Sequence, residues 1–427
     1  MTRDNSGNTN NNNDDELNIN NTLSELSDSK ESTTTTTTTT ATTATTATTD
    51  NSNVYIYKSY SICNDEKILV QEYRNGVAMI ILNRPKALNS LDIEMLTSLK
   101  NILRKFEGDN RIKVVLIKSI DGSRAFCSGG DIRQFASYQG HFDSLNHFVK
   151  TEYCMDYIIH TFPKPIITIV NGIVMGGGVG LSVHSNYRVV TENVVWAMPE
   201  NVVGFLPDVG TTYFLSRLGA FGLYLALTGD RIGARDLIST KLASHYIPLN
   251  ILDQVLQEIS TDDNVENHRQ IGFILNKYSK TLPLEGKEME SVYLKYKDSI
   301  QRCFGYNPKS VQDIMNRLEE EKIKYNTEWG SKTIEKLLNS CPLSLLVCFE
   351  SLKRALHLDI EQVFEMETRL GTRLAIRPDL YEGVTKSMVK RTKPNWSFPT
   401  IDSVPIDYFN SLFDPFENQS HEFDINY

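Results

Sequence analysis

The sequence predicts an α/β fold, and three observations carry that expectation. Apolar, β-rich runs at 114–119, 165–170 and 194–198 alternate with stretches of helical periodicity, and strands separated by helices need crossover connections. A triple glycine, Gly176 to Gly178, stands at the start of an apolar helical segment. Beyond about residue 250 the chain turns helical and charged, with periodic apolar faces at 343–356 and 360–376.

Order is expected from about Val54 onward. KILVQEY (67–73) and VAMIIL (77–82) flank Arg74-Asn75-Gly76, a hairpin signal because Asn-Gly tolerates the positive φ angles of a tight turn. After the Arg84-Pro85 break, Leu96, Leu99, Leu103 and Phe106 recur at helical spacing up to Gly108. The strand at 114–119 follows, then a loop, RAFCSGGDI (124–132), a helix around 141–160 and the strand PIITIV. VVWAM (194–198) is a further strand, and another helix opens near Asp208.

The first 53 residues belong to a different regime. Asn-rich segments give way to a tract, Thr33 to Thr49, made only of threonine and alanine. Such a stretch has almost nothing to bury, cannot offset its ordering entropy, and is expected to be disordered. It is a poor mitochondrial transit sequence, because Arg3 and Lys30 face Asp4, Asp14, Asp15, Glu16, Glu25, Asp28 and Glu31. The rest of the 427-residue chain is long enough for a sizeable core, with 40% hydrophobic residues. A net charge of −9 argues against a nucleic-acid partner. The six cysteines contain no C-x-x-C pair, so a zinc site or disulfide framework is not expected and a reducing compartment fits. No apolar run approaches the roughly 18 to 20 residues of a spanning helix. The expected localisation from these residues is cytoplasmic.

Chemistry concentrates between Asn171 and Gly210. Backbone N–H groups at a glycine-lined helix start can bind a developing oxyanion, since nothing blocks close approach and the helix dipole favours negative charge. Two carboxylates follow, Glu200 and Asp208, separated by a Gly204 and Pro207 turn, and such a pair does acid, base or nucleophilic work on a carbonyl. Each has a structural alternative. Asp208 sits where a helix starts, and from these residues alone the N-cap is the preferred reading. Glu200 reads as a surface loop acid, and the glycines as a site of tight helix–strand packing. The triplet is neither a dinucleotide fingerprint, because Leu181 breaks G-x-G-x-x-G, nor a P-loop. Cys127 and Ser128 are rejected as nucleophiles, since Ser128 lacks the G-x-S-x-G elbow and no histidine is committed to either. His141 and His147, six apart, suit no common metal motif.

The segments LNRPKALNSL (82–91), AFCSGGDI (125–132), NGIVMGGGVGL (171–181) and MPENVVGFLPDVG (198–210) resemble the enoyl-CoA hydratase/isomerase, or crotonase, superfamily. The likeness continues through EMETRL (365–370), LYEGVTKSMV (380–389) and PNW (394–396), so it covers about residues 60 to 410. It implies a crotonase-like spiral core of ββα repeats with a helical C-terminal region. It divides the chain into a tail (1–53), an acyl-CoA-binding core (54–255) and a helical region (256–427) completing the same domain. GGGVGLSVHSNYRV followed by AMPE and PDVG is similar to a branch that hydrolyses acyl-CoA thioesters. Hydratases of the superfamily carry a glutamate where this chain has Gly180 and glycine where it has Asp208, and relocating one carboxylate changes what can be attacked.

The resemblance implies Glu200 as nucleophile or general base, and Asp208 as a group that binds a substrate hydroxyl or assists proton transfer. It implies an oxyanion hole from the Gly177 N–H and one N–H of 127–129, and Glu152 at the acyl end of the substrate, where an exposed helix acid is the structural alternative. Arg84 and Lys86 fall where the family holds the nucleotide end of coenzyme A, against an ordinary solvated turn. Thr211 and Thr212 stand where the family has glycines, and the β-branched pair is expected to narrow the pocket. No metal or separate cofactor is expected, because coenzyme A is part of the substrate; neither is a nucleic-acid or membrane partner, while a homo-oligomer is allowed. Enoyl-CoA hydration or isomerisation, or a non-catalytic role in a larger assembly, are the alternatives, and the resemblance offers the mitochondrial matrix as the other location.

Overall fold

The computed structural model describes residues 55–282, 290–325 and 328–427. The expectation of disorder for 1–53 lies outside them. Strands β1 (Ile56–Ser61), β2 (Ile68–Tyr73) and β3 (Val77–Leu82) form an antiparallel meander, with Gly76 at φ +90° supplying the turn between the last two. Helix α1 (Ile93–Gly108) starts at Asp92, whose side chain accepts the Met95 N–H, and its stripe Leu96, Leu99, Leu103 and Phe106 is buried as the periodicity required.

From β3 onward the chain spirals. Strands β4 (Val114–Ser119), β6 (Ile166–Val170), β8 (Tyr187–Val190) and β10 (His245–Tyr246) extend the first sheet in parallel, giving the order β1-β2-β3-β4-β6-β8-β10. Between them, β5 (Ala125–Cys127), β7 (Ile173–Met175) and β9 (Val195–Ala197) build a second, parallel, three-stranded sheet. Each turn of the spiral therefore lays one strand in each sheet. The crossovers carry α2 (Ile132–Ser137), α3 (Phe142–Thr161) and α4 (Gly177–Val183). Two of the short strands, β5 and β7, fall inside segments expected to be loop or left without a strand. Three residues are too few to show an alternation, and only their parallel partners make them strands.

The larger sheet is buried on both faces, which is why its strands read as continuous apolar runs. Ala78, Ile80 and Leu82 of β3 enter one core with α1 and α3, while Val77, Met79 and Ile81 enter another. That second face is covered by Leu252, Val255 and Ile259 of α8 (Leu249–Thr261) and Ile271, Ile274 and Leu275 of α9 (His268–Tyr278). Ahead of them lie α5 (Thr211–Ser216), α6 (Gly219–Thr228) and α7 (Ala234–Ser239). After them come α10 (Val292–Phe304), α11 (Val311–Tyr325), α12 (Glu328–Asn339), α13 (Pro342–Ala355), α14 (Ile360–Ala375), α15 (Pro378–Gly383) and α16 (Ile406–Ser411). Phe364 of α14 and Phe304 of α10 share the first core with β-sheet residues, and Phe205 and Leu206, just before Asp208, are buried with Leu343, Val363 and Leu370. The C-terminal helices thus close over the Asp208 loop. Among the described residues no helix is long and apolar enough to cross a membrane.

Candidate active site

The three short strands run parallel, pairing Cys127 with Val174 and Met175 with Ala197, so they end side by side. Each is followed by a segment that the sequence marked: Ser128–Gly130, Gly176–Gly177 and Met198–Glu200. Gly176 takes φ +49° and ψ −128°, a conformation open to glycine, and turns the chain directly into α4. Gly177 is the first residue of that helix, so its N–H has no partner within the helix. A β-carbon on Gly177 would collide with Glu152 Oε1 and come 3.4 Å from the Gly130 nitrogen; one on Gly176 would come 3.1 Å from Glu200 Oε1. Gly130 N–H, Gly177, Glu152 and Glu200 therefore enclose one small volume. Within the segment 127–129 the Ser128 N–H is spent on the Leu88 carbonyl at 3.0 Å. The N–H beside Gly177 belongs to Gly130, one residue beyond the expected segment.

Helix α3 contributes a second wall. Glu152 is buried with Oε1 unpartnered, and Asp156, one turn further on, is fully buried with neither oxygen hydrogen-bonded. Asp156 occupies the space in front of Gly180: a β-carbon there would lie 2.5 Å from Asp156 Oδ2 and 2.9 Å from Val209 Cβ. Between the two acids, the Tyr153 hydroxyl donates to Asp208 Oδ2 at 2.7 Å. Asp208 is no helix cap. Helix α5 begins three residues later with Gly210 as its cap residue and no side-chain capping bond, so the aspartate is free to face the site.

Burial dominates the electrostatics. It pushes the Glu152 carboxyl up to about 8, with the Asp208 charge adding to it, and Asp208 itself up to about 7 against the Tyr153 hydrogen bond, which pulls it down. Glu200 is half-buried with Oε2 sealed from solvent, and burial followed by the Asp208 charge lifts it well above the carboxylate range. Asp156 is lifted in the same way by burial and then by Glu152. Like charges this close in a low-dielectric volume oppose one another's ionisation, and with burial all four carboxyls are raised together. Groups poised in this way suit proton transfer and acyl chemistry.

Other sequence expectations meet the structure less directly. Arg84 spends its guanidinium on Asp131 at 2.6 Å and on the Ser90 carbonyl and hydroxyl, tying the 84–90 turn to the loop after Gly130, whereas Lys86 is exposed. The Thr211 hydroxyl donates to the Asp208 carbonyl at 2.6 Å and the Thr212 hydroxyl to Glu367 at 2.5 Å, so the pair fastens the loop. Burial pushes the Cys127 thiol up to about 12, which removes the thiolate a nucleophile needs.

Four residues were not read from sequence as part of this site: Tyr153, Asp156, His184 and Glu367. Glu152, Tyr153 and Asp156 share TEYCMD, where i, i+4 spacing puts the two acids on one helix face. Glu367 lies in EMETRL, and no local pattern sets it apart from the exposed acids of α14.

The chain matches the family described as "Enoyl-CoA hydratase/isomerase" over residues 77–413. It is 34% identical to "3-hydroxyisobutyryl-CoA hydrolase, mitochondrial" of Dictyostelium discoideum, covering 84% of this chain and 94% of that protein. It is 33% identical to "3-hydroxyisobutyryl-CoA hydrolase 1" of Arabidopsis thaliana, with the same coverage of 84% and 94%. Among solved structures it superposes on a carnitinyl-CoA dehydratase from Mycobacterium thermoresistibile with a TM-score of 0.75 at 31% identity, covering 84% of this chain and 99% of the other. An enoyl-CoA hydratase from Rhodobacter sphaeroides gives 0.72 at 29% identity over 84% and 99%.

Proposed function

The chain belongs to the enoyl-CoA hydratase/isomerase family, and from that premise we propose that it is an acyl-CoA thioester hydrolase, cleaving 3-hydroxyisobutyryl-CoA to 3-hydroxyisobutyrate and free coenzyme A in valine catabolism. In the same proposal 3-hydroxypropionyl-CoA, which keeps the 3-hydroxyl and lacks only the 2-methyl branch, is a second substrate. The observation that carries this reading is the filled space at Gly180. Asp156 and Val209 leave no room there for the second glutamate of a hydratase, while Asp208 supplies a carboxyl from the loop that also carries Val209.

In this reading the N–H groups of Gly177 and Gly130 polarise the thioester carbonyl. Glu200, as the carboxylate, attacks the carbonyl carbon; the C–S bond breaks and the thiolate leaves as coenzyme A after taking a proton from the cluster. Water then attacks the resulting anhydride, its C–O bond breaks, and Glu200 and the hydroxyacid are released. Acting instead as general base, Glu200 delivers water directly to the same carbon. Asp208 accepts the substrate hydroxyl or passes the proton, and Glu152 accepts a hydrogen bond at the acyl end, which favours hydroxyacyl over plain acyl groups. No metal ion or separate cofactor enters this scheme.

Purified protein offered 3-hydroxyisobutyryl-CoA and, separately, an enoyl-CoA tests the proposal. Thiol release from the first and little water addition to the second are expected. Glu200→Gln, which keeps shape and removes the carboxylate, is expected to abolish turnover with binding retained. The solved relatives named as hydratase and dehydratase favour hydration as the second reading, and efficient water addition would establish it instead. Single-turnover hydrolysis in labelled water separates the two roles of Glu200, since label enters its carboxyl only through the anhydride. Relatives from Dictyostelium discoideum and Gallus gallus are named as mitochondrial, which supports the matrix over the cytoplasm; imaging a C-terminally tagged full-length protein decides between them.

A further inference from the structure

The Val209–Gly210 peptide, one residue beyond Asp208, is held from both sides. The Val209 carbonyl accepts a hydrogen bond from His184 Nε2 at 2.7 Å, and the N–H of the same peptide, on Gly210, donates to Glu367 Oε2 at 2.6 Å. Both partners are buried, His184 at the end of α4 and Glu367 in the middle of α14. Burial pushes His184 down to about 3, so it donates as a neutral imidazole with its proton on Nε2.

The held conformation is an unusual one. Val209 has φ +53° and is buried, and a β-branched side chain in the left-handed region persists only where its surroundings over-determine it. The neighbouring bonds do the same work. The Thr211 N–H and hydroxyl both donate to the Asp208 carbonyl, at 2.9 and 2.6 Å, and the Thr212 hydroxyl donates to Glu367 Oε1. Gly210 has no space for a side chain, since a β-carbon would come 2.5 Å from His184 Cε1 and 2.8 Å from Phe364 Cζ. The backbone from 208 to 212 is thus held at the Asp208 and Val209 carbonyls and at the Gly210, Thr211 and Thr212 N–H groups, while the Asp208 carboxyl itself is tied by the Tyr153 hydroxyl.

We infer that His184 and Glu367 are positioning residues that clamp the Val209–Gly210 peptide in its strained conformation and thereby aim the Asp208 carboxyl at the reacting centre. The inference rests on the reading in which Asp208 takes part in hydrolysis. The two residues stand 183 positions apart in sequence and meet on this one peptide. A reactive carboxyl on a loop needs such a mount, because a displacement of about 1 Å costs on the order of 100-fold in rate.

The test uses the full chain with 3-hydroxyisobutyryl-CoA. His184→Phe keeps the ring volume and removes the donor; it is expected to lower kcat by about 30-fold with KM within about threefold, and to displace the pH limb belonging to Asp208. His184→Gln, whose amide N–H can reach the same carbonyl, is expected to restore kcat to within about threefold. Glu367→Gln keeps the volume but gives up one acceptor, and about a tenfold loss in kcat is expected. Combined with His184→Phe, it is expected to add little, because both act through one peptide. Asp208→Asn is the reference. Full activity in that variant removes the reading on which the clamp depends. An inactive Asp208→Asn beside folded His184→Phe and Glu367→Gln variants with parental kcat overturns the clamp alone, as does a double-variant loss equal to the product of the two single losses. Should His184→Phe fail to fold, parental kcat in Glu367→Gln by itself overturns the clamp.

Discussion

Two walls of the candidate site are built on opposite principles. One, made by Gly129–Gly130 and Gly176–Gly178, is a place from which side chains have been removed. The other, made by Glu152, Asp156, Glu200, Asp208 and Glu367, is a place where carboxyls have been buried against their hydration. The glycine wall costs only backbone entropy and is set by local sterics at the ends of three strands. The acidic wall costs desolvation for every member and stands only because helices from distant parts of the chain hold it shut. The difference teaches where specificity resides: the glycine wall offers N–H groups to any acyl carbonyl, and the acids choose what happens to it.

The largest effect that would break this division is expected from Gly177→Ala. The added methyl collides with Glu152 Oε1 and crowds the Gly130 N–H, joining the two walls, and thiol release is expected to fall about 100- to 1000-fold. A loss under threefold would show that the glycine is there for packing. Gly180→Ala presses on the acidic wall from behind. With Asp156 Oδ2 at 2.5 Å and Val209 Cβ at 2.9 Å from the new atom, about 1–3 kcal/mol of stability is expected to be lost, read from denaturant midpoints.

Tyr153→Phe sharpens the comparison within the acidic wall. The phenol hydrogen bond holds Asp208 down near 7, so its removal raises that carboxyl and moves the acidic limb of kcat/KM to higher pH. A shift of one unit lowers the rate at pH 7 by up to about tenfold. An unmoved limb would detach Asp208 from the profile. Glu152→Gln tests the desolvation directly. The folded protein keeps the Glu152 proton up to about 8, against 4.5 for the ordinary group, so this residue's support is complete below pH 4.5 and is lost as pH rises through 8. The variant, which carries no titrating group, is therefore expected to gain on the parent in Tm between pH 5 and pH 9. A constant difference in Tm would place Glu152 in solvent. The smallest change is expected from Asp156→Asn. Burial and the nearby Glu152 favour the neutral form of Asp156, so the isosteric amide should leave activity within about twofold and stability within about 1 kcal/mol.

The two walls also differ in how legible they are. The glycine triplet, the loop AFCSGGD and the pair Glu200 and Asp208 stand out because each departs locally from what a strand or helix ordinarily contains, and the structure gathers them around one small volume. The hairpin at Asn75-Gly76, the stripe of α1 and the strand at 166–170 were equally plain, since period and turn chemistry are local. The strands β5 and β7 were not, because three residues carry no period. Tyr153, Asp156, His184 and Glu367 were missed for another reason: each has an ordinary composition-level identity, and only a partner tens to hundreds of residues away makes it part of the site. The N-cap alternative for Asp208 shows the same limit, since a start of helix near residue 208 was read within three residues and those three residues decide what the side chain faces.

By itself the sequence determined the α/β class, the helical C-terminal part, the family, and the residue types brought to the carbonyl. All of these follow from local propensity, periodicity and motif, where each residue speaks through its near neighbours. Tertiary structure alone decided which acids are buried, and hence which carboxyls are pushed up from their ordinary range. It also decided that Asp156 closes the space at Gly180, that Gly130 is the N–H beside Gly177, and that His184 and Glu367 meet on one peptide. Burial and charge coupling depend on everything within a few ångströms in space, and a chain folded through two sheets and sixteen described helices brings together groups whose separation in sequence carries no trace of that meeting.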